Sequence, residues 1–219
     1  MMQLIGLLGG TFNPIHNGHL RLAQELADAL NFDEVRFIPS ANPPHKALPE
    51  VSAEHRAAMV QLAIAANPLF KLDKRELERR ELNSTGASYT IDTLISLQEE
   101  LGGGVALCLT MGSDAFSKLN TWHRWQALLD YCHIILVQRP TSATQPQLTD
   151  ELSVLLHDHY TENVSDLASE NAGFIHMQKI TALDITATNI RAQLEAGYSP
   201  RYLMPDSVLD YIKHNKLYI

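Results

Sequence analysis

The chain has 219 residues, enough to bury a substantial core in one domain, and its 45% hydrophobic and 19% charged residues exclude a disordered chain. Its net charge of −8, without a basic stripe, argues against a protein that binds nucleic acid through many phosphate contacts. The sequence shows neither a basic, apolar leader nor a run of about 18 apolar residues, so we expect a cytoplasmic protein that does not span a membrane.

The first third of the chain alternates between patterns typical of strands and of helices. Short apolar runs predict strands at residues 3–8, 34–39 and 70–72. Apolar residues at helical spacing predict one helix at 18–30, and a second that Ser52 caps and that runs to about residue 66. A glycine-containing loop joins the first strand to the first helix.

The rest of the chain continues this alternation. Strands are predicted at residues 105–111, 132–138 and 174–178, and helices at 89–101, 147–156, 187–196 and 205–214, the last with Pro205 in its first turn. Loops are predicted where Pro, Ser, Thr, Asn or charged residues accumulate, at 41–50, 77–88 and 141–147. Cys108 and Cys132 lie in apolar runs, and we interpret them as buried, reduced thiols.

Repeated alternation of strands and helices predicts an α/β fold with a parallel, doubly wound sheet. We expect one domain over residues 1–219, in which residues 185–219 form a small C-terminal helical part. No pattern in the sequence indicates the oligomeric state.

The most specific segment is GGTFNPIHNGHL at residues 9–20, between the first predicted strand and the first predicted helix. Loops at the carboxyl ends of strands are the usual ligand sites of open α/β sheets. Gly9 and Gly10 allow a ligand to approach the backbone closely, and N–H groups at the helix start favour phosphate oxygens. His16 and His19, three residues apart, can both face one bound phosphate and donate hydrogen bonds to it.

Two other interpretations apply to this histidine pair. One histidine could cap the helix while the other is exposed, or both could bind zinc. The position directly after a strand and GGTFNP argues against the first interpretation. The lack of a nearby cysteine or acidic third ligand argues against the second.

A second segment, ITATNIR at residues 185–191, opens a late predicted helix. The hydroxyls of Thr186 and Thr188 and the N–H groups of a helix start suit anions, and Arg191 adds a fixed positive fork. The alternative is that the Thr-x-Thr sequence only caps the helix.

A third segment, Gly112-Ser113-Asp114, follows the apolar strand at 105–111. A carboxylate at the end of a sheet strand can accept hydrogen bonds from ribose hydroxyls. Capping of a helix by Ser113 or Asp114 is an equally good interpretation.

Together these segments resemble the nucleotidyltransferase superfamily that carries an H/T-x-G-H motif, and GGTFNPIHNGHL is similar to its nicotinate mononucleotide adenylyltransferase branch. The resemblance spans nearly the whole chain and implies a Rossmann-like nucleotidyltransferase fold. It implies catalytic roles, on the ATP phosphates, for His16, His19 and Arg191. The residues that it assigns to ATP binding are Gly9, Gly10, Thr11, Phe12, Gly18, Gly112, Asp114, Thr186 and Thr188.

Three more stretches, NPPHK, SYTIDT and TWH, resemble the pyridine-nucleotide side of that branch. Lys46 would lie near phosphate, the backbone around Tyr89 and Thr90 would meet the nicotinate carboxylate, and the indole of Trp122 would face the flat pyridine ring. His123 stands where many relatives have tyrosine. The residues assigned to acceptor binding are Asn42, Lys46, Tyr89, Thr90, Trp122 and His123.

The implied reaction joins ATP to nicotinate mononucleotide and gives nicotinate adenine dinucleotide and pyrophosphate, with Mg²⁺ bound alongside ATP. A phosphate monoester with a second pKa near 6 is mostly dianionic at neutral pH, so the acceptor needs no general base. This agrees with motifs that contain cations and donors but no paired carboxylates.

Other activities stay open at this point. The H-x-G-H motif is shared across the superfamily, so the acceptor could be another phosphate such as phosphopantetheine, or the transferred group cytidylyl. A nucleotide-binding module without catalysis is the alternative from a different class. A dehydrogenase-type site is disfavoured because no G-x-G-x-x-G follows the first strand. An aminoacyl-tRNA synthetase is disfavoured because the chain is short and acidic and lacks a K-M-S-K-S-like loop.

Overall fold

The computed structural model describes residues 2–41, 49, 51–82, 88–138 and 147–218. Asn42 and Lys46 lie outside the described residues, as do most of the loops predicted at 41–50 and 141–147.

Seven strands form one sheet, in the order β3-β2-β1-β4-β5-β7-β6. β1 and β4 are parallel, with Gln3 opposite Val105 and Leu7 opposite Leu109. The strand order reverses between β1 and β4, which makes the sheet doubly wound. The strands are β1 (Gln3–Gly10), β2 (Glu34–Pro39), β3 (Phe70–Leu72), β4 (Val105–Gly112), β5 (His133–Gln138), β6 (Tyr160–Thr161) and β7 (Ile175–Lys179).

Helices connect and flank these strands. They are α1 (Asn17–Leu30), α2 (Ala53–Ile64), α3 (Arg75–Leu82), α4 (Thr90–Leu101), α5 (Ser113–Phe116), α6 (Asp150–His159), α7 (Ala187–Glu195) and α8 (Asp206–His214). Three short 3-10 helices cover Leu119–Thr121, Trp125–Asp130 and Val164–Ala168. Within the described ranges, none of the helices combines the length and the apolar character that crossing a membrane requires.

The predicted α/β fold with a parallel, doubly wound sheet is confirmed, and so is the helical character of residues 185–219, which contain α7 and α8. Strands β2 and β3 have the predicted limits. The loop prediction for 77–88 is wrong at its start, because α3 runs to Leu82. Pro205 occupies the cap position before α8 rather than its first turn.

The chain divides into two compact units. The first unit contains Met1–Leu8, Glu25–Val35 and Tyr89–Thr181. The second unit contains Gly9–Gln24, Arg36–Ser88 and Ala182–Ile219. The single domain predicted over residues 1–219 stays a prediction.

The core of the first unit is built on β4 and β5, whose apolar side chains are almost entirely buried. Cys108 and Cys132 are both buried free thiols, as predicted. Burial raises the pKa of both thiols far above the ordinary value. In α4, the C-cap Gly102 has a φ of 75° and donates its N–H to Gln98, a conformation that favours glycine.

In the second unit, a buried carboxylate fixes the start of α3. Asp73 lies 3.2 Å from Arg36 Nη1 and 2.8 Å from Arg75 Nη2, and it accepts the backbone N–H of Arg75. Burial alone would raise the pKa of the Asp73 carboxyl, but the hydrogen bonds and charge of Arg75, with Arg36, hold it below its ordinary value. This carboxylate therefore stays ionised and closes the turn between β3 and α3.

Candidate functional site

The end of β1 presents an open backbone, and the loop that follows it contains a buried ring. A Cβ atom added at Gly9 would meet no atom within 4 Å, so a ligand can approach the chain there. Phe12 is only 2% exposed and has a φ of 48°. Its ring contacts that of His19 edge-on, with centroids 5.1 Å apart and an interplanar angle of 77°.

His16 and His19 lie side by side, as their spacing predicts. Their rings stack with centroids 3.8 Å apart and an interplanar angle of 28°. The backbone N–H of His16 donates to Nδ1 of His19 at 3.3 Å. Because Nδ1 accepts, the ring hydrogen of neutral His19 belongs on Nε2, where it can be donated to an anion.

Gly18 is required by the close approach of the His16 ring. A Cβ atom at Gly18 would lie 3.0 Å from Nδ1 and 3.1 Å from Cε1 of His16. The same position is 3.6 Å from the carbonyl oxygen of Ile185, which comes just before α7. The start of α1 therefore adjoins the start of α7.

Helix α7 presents its N-terminus at the same place. Thr186 is its N-cap, and its Oγ1 accepts the N–H of Asn189 at 3.2 Å. The capping interpretation of this threonine is thus confirmed, and capping leaves the hydroxyl able to donate. Both Thr186 and Thr188 are exposed.

Arg191 and Tyr218 both bind Asn13, in the middle of the β1–α1 loop. Nη1 of Arg191 donates to the Asn13 carbonyl at 2.8 Å, and the Tyr218 hydroxyl lies 2.6 Å from Asn13 Oδ1. Asn17 is held similarly, since its N–H donates to the Leu203 carbonyl at 2.8 Å. The C-terminal part of the chain therefore holds the loop that carries the histidines.

This arrangement is suited to binding anions. Two helix N-termini, with their partial positive charge, adjoin the stacked histidines. The half-buried guanidinium of Arg191, which bonds the same loop, adds a permanent positive charge. Such donors stabilise negative charge on phosphate oxygens. Among the described residues, no group of three or more His, Cys, Asp or Glu side chains is placed to hold a metal ion.

In the first unit, Gly112 ends β4 and takes the cap position before α5. Because Gly112 is the cap residue and Ser113 and Asp114 lie within the helix, the interpretation of Ser113 or Asp114 as the cap is wrong. A Cβ atom at Gly112 would meet no atom within 4 Å. Asp114 is exposed in the first turn of α5, where its carboxylate is accessible to a ligand.

Four of the six residues assigned to the acceptor lie elsewhere in the first unit. The rings of Tyr89 and His123 are in contact, with centroids 4.4 Å apart and an interplanar angle of 37°. Tyr89 takes the cap position of α4, and Thr90 is the first residue of that helix. Trp122 is partly exposed, so its indole is not enclosed by the core.

The structure thus brings one group of predicted residues together in the second unit. It contains Gly9, Gly10, Thr11, Phe12, His16, Gly18, His19, Thr186, Thr188 and Arg191. Gly112, Asp114, Tyr89, Thr90, Trp122 and His123 belong to the first unit. The ligand-binding role of each residue stays a prediction.

Two residues that hold the β1–α1 loop were not predicted from the sequence. Tyr218 is one, and Arg56 is the other, since its guanidinium donates to the Thr11 carbonyl at 2.6 Å. For Arg56 a signal existed, because a charged residue stands among apolar residues of a predicted helix. For Tyr218 no local pattern pointed to a contact 205 residues away.

Comparisons with known proteins identify the family of the chain. The family model described as cytidylyltransferase-like matches residues 7–193. The chain is 49% identical over 214 residues to the "Probable nicotinate-nucleotide adenylyltransferase" of Aeromonas salmonicida, covering 98% of this chain and 96% of the relative. It is 46% identical over 217 residues to the protein of the same name from Pseudomonas putida strain GB-1, covering 99% of this chain and 95% of the relative.

A solved structure shares the fold. The nicotinic acid mononucleotide adenylyltransferase of Plasmodium falciparum, complexed with NaAD, superposes with a TM-score of 0.69 at 16% identity, covering 99% of this chain and 97% of that one. The resemblance found in the sequence motifs is confirmed by the full-length relatives. The chain therefore belongs to the cytidylyltransferase-like family and, within it, to the nicotinate-nucleotide adenylyltransferases.

Proposed function

We propose that this chain transfers the adenylyl group of ATP to nicotinate mononucleotide, giving nicotinate adenine dinucleotide and pyrophosphate in NAD biosynthesis. One observation carries the proposal: the stacked His16 and His19 stand where the starts of α1 and α7 adjoin. The 49% identity to a relative of that name over nearly the whole chain supports the choice of acceptor.

The chemistry requires charge stabilisation more than proton transfer. An oxygen of the acceptor phosphate attacks the α-phosphorus of ATP, a new P–O–P linkage forms, and the bond to the β-phosphate oxygen breaks to release pyrophosphate. The acceptor is already mostly dianionic at neutral pH, so no base has to remove a proton. The enzyme must align two anions and neutralise the charge that develops on their oxygens.

We assign this work to the second unit. When His19 is neutral, its accepting Nδ1 leaves the ring hydrogen on Nε2, and this group would donate to an α-phosphate oxygen. Arg191 and the exposed hydroxyls of Thr186 and Thr188 would hold the departing pyrophosphate. His16, stacked beneath His19, would add a second imidazole donor.

Mg²⁺ fits this site as a companion of ATP. The donors that surround the loop are imidazoles, a guanidinium and hydroxyls, and the described residues provide no cage of carboxylates. Mg²⁺ keeps several water ligands and is commonly bound through substrate phosphates, so ATP oxygens and water would hold it. When bound, it would lower the charge on the leaving pyrophosphate.

The first unit would recognise the rest of the substrates. The exposed carboxylate of Asp114 can accept hydrogen bonds from ribose hydroxyls. The partly exposed Trp122 offers a flat face to the pyridine ring, and the backbone N–H groups at the start of α4 suit the nicotinate carboxylate. We also assign acceptor binding to Asn42 and Lys46, on the resemblance of NPPHK to the pyridine-nucleotide side of the family. We place the enzyme in the cytoplasm, with no nucleic acid among its partners.

The test is pyrophosphate release from MgATP with nicotinate mononucleotide, nicotinamide mononucleotide or phosphopantetheine as acceptor. We expect a strong preference for the nicotinate acceptor. In His19→Ala, we expect kcat to fall about 100- to 1,000-fold, the usual effect of removing one preorganised donor. His157→Ala is the matched control, since that side chain is 87% exposed on α6.

Each outcome has a distinct meaning. Preference for another acceptor would keep adenylyl transfer but replace the substrate. No release with any of the three acceptors would contradict catalysis and favour a nucleotide-binding module. Full activity in His19→Ala would remove the histidine from the mechanism.

A further inference from the structure

Arg56 is an arginine on α2 that the proposed chemistry does not use. It is only 1% exposed and is among the largest fully buried side chains of the described residues. Its neighbours on the helix, Ala53, Ala57 and Val60, are also buried. A charged side chain on the buried face of a helix is costly, and an apolar side chain of similar size would often give equal or greater stability. Its position therefore calls for an explanation other than stability.

The guanidinium of Arg56 bridges two segments of the second unit. Nη1 donates to the Thr11 carbonyl at 2.6 Å, and Nη2 donates to the Ala41 carbonyl at 3.3 Å. One residue earlier on each segment, the Ser40 N–H donates directly to the Gly10 carbonyl at 2.9 Å. The backbone bond joins Ser40 to Gly10, and the guanidinium joins the next residue of each segment, Ala41 and Thr11.

Both segments carry residues that the proposed function needs. Thr11 precedes Phe12, whose ring contacts His19 edge-on. Ala41 precedes Asn42 and Lys46, which we assign to the acceptor. A guanidinium is planar and holds its N–H groups at fixed angles, so it sets the separation of two acceptors in a way that a lysine cannot.

We propose that Arg56 is a positioning residue for adenylyl transfer, which fixes the Gly9–Phe12 backbone relative to Ala41, just after the end of β2. This inference rests on the proposed function. It acts through Phe12 on His19, so it predicts a loss in turnover rather than in ATP affinity alone.

The experiment compares Arg56→Lys with Arg36→Lys. Arg36 is a matched control, because it is another largely buried arginine of the second unit but pairs with the carboxylate of Asp73. Pyrophosphate release is measured with both substrates varied, and kcat is expressed per folded molecule from near-ultraviolet circular dichroism at the assay temperature. A loss of stability alone then leaves the value unchanged.

We expect kcat of Arg56→Lys to fall about 10- to 100-fold, as for the loss of a hydrogen bond from a charged donor. Arg36→Lys should keep its kcat even where its melting temperature drops. In Arg56→Ala, a sub-denaturing concentration of guanidinium chloride should restore part of the lost kcat, because the ion can occupy the space left by the side chain. The same concentration of sodium chloride should not restore it.

Unchanged kcat per folded molecule in Arg56→Lys, or an equal loss in Arg36→Lys, would overturn the inference. Failure of guanidinium to restore the rate of folded Arg56→Ala would also count against it. Failure of the proposed function is a separate result, since the unsubstituted enzyme would then release no pyrophosphate with nicotinate mononucleotide.

Discussion

The residues proposed for phosphate chemistry and those proposed for recognition of the ribose and the pyridine ring are built in different ways. In the second unit, Phe12 and His16 are only 2% and 6% exposed, and the loop between them is bonded by Arg191 and Tyr218. In the first unit, Asp114 and His123 are exposed, and Trp122 is partly exposed.

This difference follows from what each group has to do. Stabilising a transition state requires donors that are already in place when charge develops, so their supports must be rigid. Recognition of a flat ring and a ribose needs accessible faces, and interface side chains commonly change rotamer on binding. Substitutions that disturb the supports should therefore lower kcat, and substitutions of the exposed faces should raise KM.

Among substitutions that disturb the supports, the largest effect on kcat is expected for Gly18→Ala. The added methyl group would lie 3.0 Å from Nδ1 of His16, so the ring must shift. The ring has to move by a few tenths of an ångström. Because a misplacement near 1 Å in a catalytic constellation costs about 100-fold in rate, we expect this smaller shift to lower kcat about tenfold. Steady-state kinetics with both substrates measure it.

Gly103→Ala is the matched control for that substitution, since a methyl group there meets no atom within 4 Å. A normal kcat in Gly18→Ala, with a folded protein, would show that the position of the His16 ring does not limit the reaction.

Trp122→Ala tests the recognition side of the comparison. Loss of ring stacking should raise the KM for nicotinate mononucleotide about tenfold and leave kcat and the KM for ATP nearly unchanged. Trp122→Phe keeps a flat ring and should lose less. If kcat falls while KM is constant, this tryptophan belongs with the supports rather than with the recognition surface.

A smaller effect on kcat is expected for Tyr218→Phe. The substitution removes only the hydroxyl that lies 2.6 Å from Asn13 Oδ1. One neutral hydrogen bond contributes about 0.5–1.5 kcal/mol, so kcat should fall about 2- to 10-fold. Tyr198→Phe is the control, because Tyr198 is 70% exposed. Equal rates in the two variants would mean that the loop keeps its position without this bond.

The smallest effect concerns the framework of the first unit. Burial lowers the pKa of His133 below its ordinary value of 6.5, although the carbonyls of Glu170 and Leu167 oppose the shift. Between pH 6.5 and the lowered pKa, His133 binds a proton in the unfolded chain but not in the folded chain. The stabilisation is therefore complete above about pH 6.5 and is lost as the pH falls through the lowered pKa.

Urea unfolding between about pH 7.5 and 5 measures this loss, which cannot exceed about 1.4 kcal/mol per pH unit for one proton. His133→Gln should show a flatter dependence than the exposed control His157→Gln. Identical slopes in the two variants would assign the acid sensitivity to other groups.

Much of the framework could be predicted because its signals are local. Residues 34–39 and 70–72 are short apolar runs and have the predicted limits. Ser52 caps α2 through a bond from the His55 N–H, three residues along, which is the range over which capping patterns act. The motif at residues 9–20 combined a strand end, glycines and a helix start, so its place in the fold followed directly.

Helix α3 was missed because its charged sequence, RELERREL, lacks an apolar face. These residue types are good helix formers, but a cap was needed to mark the start. Asp73 marks that start by accepting the Arg75 N–H, and its buried carboxylate is held ionised by Arg75 and by Arg36, which is 37 residues away. The start of α3 therefore depends on a tertiary contact, which the local sequence pattern does not contain.

The supports of the candidate site were missed for the same reason. Arg56 reaches Thr11 across 45 residues, and Tyr218 reaches Asn13 across 205. Motif spacing identified the groups that would face phosphate. The residues that hold those groups in place could not be identified, because they come from segments distant in the sequence.

The two buried cysteines have a practical consequence for experiments on this protein. The thiolate is the form that reacts with maleimides and iodoacetamides, and burial disfavours it strongly at Cys108 and Cys132. Because the chain contains no other cysteine, a single one introduced at an exposed position such as His157 would be labelled selectively in the folded protein. Fluorophores or spin labels could thus be attached to either unit without first replacing a native residue.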